Sequence, residues 1–165
     1  MHFFFLDASA LAKRYAPEIG TPLLNQLMTS VPHDRLYLFN VGMGELLSLL
    51  VRKKNAGQLS SGAFSQALVD FGAEVVSSNI LNKLVAGNAL VTAALPLIGV
   101  HSVNATDAIL LRLALDLATS LRSAGHDLVL VASDQRLLRA AHAERLVTFN
   151  PEAQGQADLT ALLGP

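Results

Sequence analysis

The chain has no cysteine and no tryptophan among its 165 residues. The missing thiols exclude disulfides, thiolate zinc sites and a cysteine nucleophile together, and they fit a reducing compartment. Aromatic residues amount to 5% and charged residues to 15%, so the core must be aliphatic and the surface sparsely charged. A formal net charge of -1 offers no global attraction to a polyanion. Such a partner would need a local basic patch or a bound cation. The five histidines, His2, His33, His101, His126 and His142, show no ligand-like spacing. Soft and borderline metals therefore lack their usual ligands, which leaves oxygen donors and hard cations such as Mg²⁺ or Mn²⁺. A glycine-rich phosphate loop, the dinucleotide fingerprint and the Gly-x-Ser-x-Gly elbow are absent as well.

No run reads as a membrane span. Leu84 to Val100 carries no charge, but Gly87, Asn88, Thr92, Pro96 and Gly99 interrupt it. It is read as a buried helix ending at Pro96. The opening residues lack a basic leader, and Asp7 stops their apolar run, so a signal peptide is not expected. The expectation is a soluble, cytoplasmic protein.

What is abundant is apolar side chain, at 52% of the residues, in a chain long enough for one domain with a full core. Phe3–Leu6, Leu36–Phe39, Glu74–Val76, Leu128–Ala132 and Leu146–Phe149 read as short strands. Helices are predicted over Ser9–Tyr15, from Pro22 to about Ser30 with Thr21 as cap, and over Gly44–Asn55 and Ser60–Phe71. Further helices are predicted over Ile80–Leu95, Asp107–Ser123 and Gln135–Ala143. Strands alternating with helices imply an α/β domain with a central, mostly parallel sheet. Residues 1–151 are expected to form that domain, and 152–165 a peripheral tail.

In such sheets ligands bind beyond the carboxyl ends of the strands. Asp7 and Asp134 fall at two such ends, and Glu45 and Asp107 near the starts of two apolar helices. Carboxylates gathered in one crevice repel each other unless a cation joins them. Asp107 is the most telling of the four. At 100° per residue it shares a helix side with Leu110, Leu111, Ala114 and Ala118, whereas Arg112, Asp116 and Thr119 face the other way. A carboxylate on an apolar face needs a partner; a cap or dipole role is the plainer alternative. Asp7 and Asp134 could also be simple caps, yet each adjoins a serine, Ser9 and Ser133, in a matching strand-end pattern. Glu45 groups with Ser48 and Arg52 on a helix edge that would by itself be solvated. Arg52, Lys13 and Arg136 are candidate phosphate contacts, with Arg14 and Arg139 beside them. Carboxylates with a hard cation suit phosphodiester hydrolysis.

At these residues the sequence resembles the PIN-domain ribonucleases, and more narrowly the VapC-type toxins of toxin–antitoxin pairs. Phe5-Leu6-Asp7-Ala8-Ser9-Ala10-Leu11 with Pro17-Glu18 resembles the opening block, and Gly44-Glu45-Leu46 through Lys53 the second. Ala105-Thr106-Asp107-Ala108-Ile109 is similar to the third, Val131-Ala132-Ser133-Asp134-Gln135-Arg136 to the fourth, and Phe149-Asn150-Pro151 to the close. The resemblance implies a three-layer α/β/α PIN-like fold. It also implies an acidic quartet of Asp7, Glu45, Asp107 and Asp134 holding Mg²⁺ or Mn²⁺, supported by Ser9 and Ser133, for endonucleolytic cleavage of RNA. A homodimer and an inhibitory antitoxin protein are implied too. Gln135 stands where a basic residue is frequent, and Gly57–Asn104 carries no family motif. The rival readings are a catalytically inactive PIN-like binding module and a PIN nuclease of RNA processing. A phosphoacceptor receiver domain is disfavoured, since Asp7 is followed by Ala8 rather than a second acid.

Overall fold

The computed structural model describes residues 1–164 as a three-layer α/β/α arrangement. Five strands, β1 (His2–Leu6), β2 (Leu36–Phe39), β3 (Asn82–Leu84), β4 (Asp127–Val131) and β5 (Val147–Phe149), form one sheet in the order β3-β2-β1-β4-β5. All four pairings are parallel, with Leu6 beside both Leu38 and Val131. Parallel pairing demands crossovers, and seven helices supply them: α1 (Ala8–Tyr15), α2 (Thr21–Ser30), α3 (Gly42–Asn55), α4 (Ser61–Phe71), α5 (Asn88–His101), α6 (Ala105–Ser123) and α7 (Gln135–Ala143), while α8 (Gln156–Leu163) follows β5.

The strands are apolar on both faces, and successive side chains feed opposite layers. Phe4, Leu6, Leu36, Leu38, Val129 and Val131 pack under α1 to α4 and α8. Phe5, Phe39, Leu128 and Leu130 pack under α5, α6 and α7. The chain leaves β1 towards β2 and β3 on one side and later returns to β4 and β5 on the other. The junction of β1 and β4 is thus the switch point at which a crevice opens beyond the carboxyl ends of the strands.

Several expectations need correction. Glu74–Val76 is no strand: α4 runs on into a single π-helical stretch, Gly72–Val76, closed by the Ser77 N–H donating to the Gly72 carbonyl at 2.9 Å. Ala67, Phe71 and Val75 recur every fourth residue and are all buried, a helical period that outweighs the local strand propensity. The third strand is instead Asn82–Leu84, paired with β2 from Tyr37↔Asn82. The helix predicted over Ile80–Leu95 begins only at Asn88 and passes through Pro96 to His101. Pro96 lies on its exposed side, where solvent can take the carbonyl that the missing N–H would have met. Nor is α5 a buried helix, since only Ala94 and Leu97 are covered. Among the described residues, no single helix is long and apolar enough to cross a membrane.

At the start of α2, Gly20 rather than Thr21 is the cap residue, with φ +90° and no side-chain cap. The Thr21 hydroxyl instead accepts from the Glu18 N–H and donates to the Lys13 carbonyl, both at 2.9 Å. The stretch after Pro151 contains α8, whose Leu159 is fully buried in the first core beneath α2.

Candidate functional site

The switch point holds a crevice of about 510 Å³ lined by Asp7, Ser9, Glu45, Arg52, Asn104, Asp107 and Asp134 among others. All four carboxylates singled out in the sequence therefore meet there, from four separate elements. Asp7, Asn104 and Asp134 are the N-caps of α1, α6 and α7, and Val41, also in the lining, precedes α3. Four helix amino ends thus face the crevice, and their dipoles partly offset the acids.

Asp7 extends the sheet by donating its N–H to the Val131 carbonyl at 2.9 Å, which fixes it beside β4. Its Oδ2 accepts from the Ser9 N–H at 2.9 Å and from the Ser9 hydroxyl. The same hydroxyl oxygen accepts from the N–H groups of Ser133 (2.9 Å) and Asp134 (3.3 Å). One serine thereby clamps the two strand ends that bear Asp7 and Asp134. Asp134 Oδ1 accepts from the N–H groups of Arg136 and Leu137 at 2.7 and 3.1 Å, so its cap role and its place in the crevice coincide. Ser133 turns its hydroxyl to Asn150 Oδ1, 3.4 Å away, and is not part of the lining.

Asp107 is 8% exposed, with its N–H held by Asn104 Oδ1 at 2.8 Å. Its Oδ2 is buried without a hydrogen-bond partner, a costly state for a carboxylate. Burial pushes its carboxyl up to about 6; Asp7 and Asp134 add to the rise, while Arg136 and the Asn104 contact oppose it. Glu45 rises to about 7, through burial first and then the charges of Asp7 and Asp107, against the Thr106 hydroxyl and Arg52. Asp7 is also raised, chiefly by burial and slightly by Asp134, with Ser9 pulling the other way. The acids feel one another.

The donor set is all oxygen, and the unpartnered Asp107 Oδ2 is an acceptor of the kind that hard cations take. The set fits Mg²⁺ or Mn²⁺ in chemistry. Its geometry is open: among the described residues no three His, Asp or Glu side chains stand arranged to hold one ion. Like charges repel without a cation, so holding one ion would require the carboxylates to draw together.

The basic candidates divide. Arg52 lines the crevice, and Arg136 is near enough to act on Asp107. Lys13 does not reach the crevice: its ammonium is 1% exposed, held by Glu18 at 2.8 Å and by Glu152. Arg14 is likewise committed, gripping Glu74 at 2.5 and 2.8 Å beneath α2. Arg139 is exposed on α7 outside the lining. Val41 and Leu49, in the lining, and Thr106, whose hydroxyl meets Glu45, were not singled out as site residues, because only the tertiary fold brings them there. Asn104 carried one, the cap spacing three residues before Asp107.

No protein-family model matches the chain, and no curated protein matches it. Solved structures do. PAE2754 from Pyrobaculum aerophilum aligns over 98% of both chains with a TM-score of 0.61 and 18% identity. FitAB bound to an IR36 DNA fragment aligns over 93% of this chain and 99% of that one, with a TM-score of 0.63 and 13% identity. FitAcB from Neisseria gonorrhoeae covers 92% and 100%, at 0.58 and 14%. These likenesses span nearly the whole of every chain concerned and concern the fold. The chain shares the fold of these structures, a PIN-like three-layer α/β/α arrangement.

Proposed function

We propose that this protein is a Mg²⁺- or Mn²⁺-dependent endoribonuclease, the toxin of a VapBC-type toxin–antitoxin pair, acting in the cytoplasm. The observation that carries the reading is the crevice itself: four carboxylates from four elements at one switch point, with Asp107 Oδ2 buried and unpartnered. A divalent cation held among these oxygens would acidify a water and offset the charge that grows on the phosphate during hydrolysis. Asp7, Glu45, Asp107 and Asp134 bind, directly or through water. Ser9 keeps Asp7 and Asp134 at a fixed separation, and Arg52 and Arg136 draw the phosphodiester backbone towards them. In the net reaction the oxygen of water bonds to phosphorus and the bond to the 3′ oxygen breaks.

Purified protein incubated with RNA and Mg²⁺ or Mn²⁺ should cleave it, while Asp7→Asn should not. Equal cleavage by both, or by neither across varied RNAs, would refute the nuclease reading. The toxin reading is tested separately, by growth arrest on expression that Asp7→Asn relieves. The partners that accompany this reading are RNA, a cognate antitoxin protein and a second copy of the chain. FitAB, of the same fold, is bound to DNA. The uncharged outer face of α5, with Leu95 and Val100 exposed, is the surface on which two copies would pair.

A further inference from the structure

Asn104 does more than cap α6. The Asp107 N–H is a donor, so the side-chain oxygen of Asn104 must be the atom that meets it, at 2.8 Å. That contact settles which end of the amide is which. The Nδ2 group is left turned away from the helix, on an exposed side chain that lines the crevice, and among the described residues it has no hydrogen-bond partner. The other uncharged donors in the lining are committed: the Ser9 hydroxyl donates to Asp7, and the Ser48 hydroxyl to the Gly44 carbonyl at 2.8 Å. Arg52 is the one cation among the lining residues.

A polyanionic strand entering a crevice walled by four carboxylates must be met by donors. We infer that Asn104 is a substrate-positioning residue whose amide N–H donates to a non-bridging oxygen of an RNA phosphate beside the scissile one. Its anchored oxygen ties that contact rigidly to the first turn of α6, and so to Asp107. This inference rests on the nuclease reading above and deepens it. A neutral donor suits the place better than a second cation, because it adds no charge to pull the acids from their own ligand.

The test separates the two ends of the amide. Serine and aspartate can both cap a helix, but neither offers the N–H. Asn104→Ser is expected to keep the parent's thermal midpoint and Mn²⁺ affinity while raising KM for RNA roughly tenfold or more, the loss expected for a hydrogen bond to a charged group. Asn104→Asp should raise KM further through repulsion. Unchanged KM in Asn104→Ser overturns the inference and leaves the nuclease reading intact. A loss of activity matched by an equal loss of Mn²⁺ affinity also overturns it, since Asn104 would then act only through Asp107. Wild-type protein that cleaves no RNA would remove the nuclease reading and this inference together.

Discussion

At the scale of single residues, two aspartates on one helix make a controlled comparison. Asp107 is buried in the crevice, whereas Asp116, nine positions on, is exposed and paired with Arg112. Asp107→Asn should lower cleavage by more than the roughly 10–100-fold that loss of an outer-shell partner costs. Asp116→Asn should leave it nearly intact, because exposed ion pairs contribute little. Similar losses from both, in initial-rate assays at saturating Mn²⁺, would undo the assignment. The carboxyl pKa values yield a second expectation. Asp107 and Glu45 stand at about 6 and about 7 in the fold, against ordinary values of 3.8 and 4.5. Below the ordinary values both groups are protonated in either state and cost nothing. Above about 7 they are ionised in the fold and the full cost is present, so their raised values remove stability as pH climbs between those limits. In metal-free protein, the thermal midpoint of Asp107→Asn or Glu45→Gln should therefore gain on the parent as pH rises from about 4 to about 7. A gap that stays flat or narrows would show that the carboxylates do not strain one another. Added Mn²⁺ should reverse the order at pH 7, because only the parent has the full set of ligands.

At the scale of elements, the site depends on how helices begin. Asp7, Asn104 and Asp134 each cap a helix and each line the crevice. The plain structural reading and the functional one were thus never alternatives. These three caps were legible in the sequence because they are local, fixed by a side chain reaching two or three residues on. What failed was also local in appearance. Val75 and Val76 looked like strand, and the long-range burial of Ala67, Phe71 and Val75 along one helix face decided otherwise. The start of α2 shows the same dependence on distant chain. Gly20 has φ +90°, and a Cβ there would stand 2.5 Å from the Pro151 carbonyl oxygen. Gly20→Ala should cost ~1–3 kcal/mol in urea unfolding, the scale of a strained backbone position. Gly62→Ala, inside α4 with no atom within 4 Å of the added methyl, should be neutral or slightly stabilising. If the two variants unfold alike, the packing of Gly20 on Pro151 is not what holds α2 in place.

At the scale of the whole molecule, the segment around α5 leaves apolar side chains uncovered. From Leu84 to Val100 there is no charge, and Val85, Leu95 and Val100 are 70%, 56% and 71% exposed. The α5 helix packs chiefly on α6 and leaves its outer face to solvent. Exposed apolar side chains along an uncharged segment are what the proposed pairing of two copies would cover. Leu95→Glu with Val100→Glu should shift a dimer towards monomer in sedimentation or light scattering without altering the helical signal. A parent that is monomeric at high concentration would rule out self-association through α5.

The sequence by itself determined most of the strands and helices, though neither β3 nor α8, together with the aliphatic core and a list of four acids with oxygen-only chemistry. Those properties follow from periodicity, composition and caps, which act over a few residues. Tertiary structure alone decided which charges share space. Lys13 and Arg14 sit on the same first helix as Ser9, yet both are committed to ion pairs away from the crevice, whereas Arg52, far along the chain, lines it with the acids. Glu45, a solvated edge by its own helix, becomes an acid near neutrality only when α3 is laid beside Asp7 and Asp107. Burial and mutual repulsion are properties of the assembled crevice, and no short stretch of chain contains them.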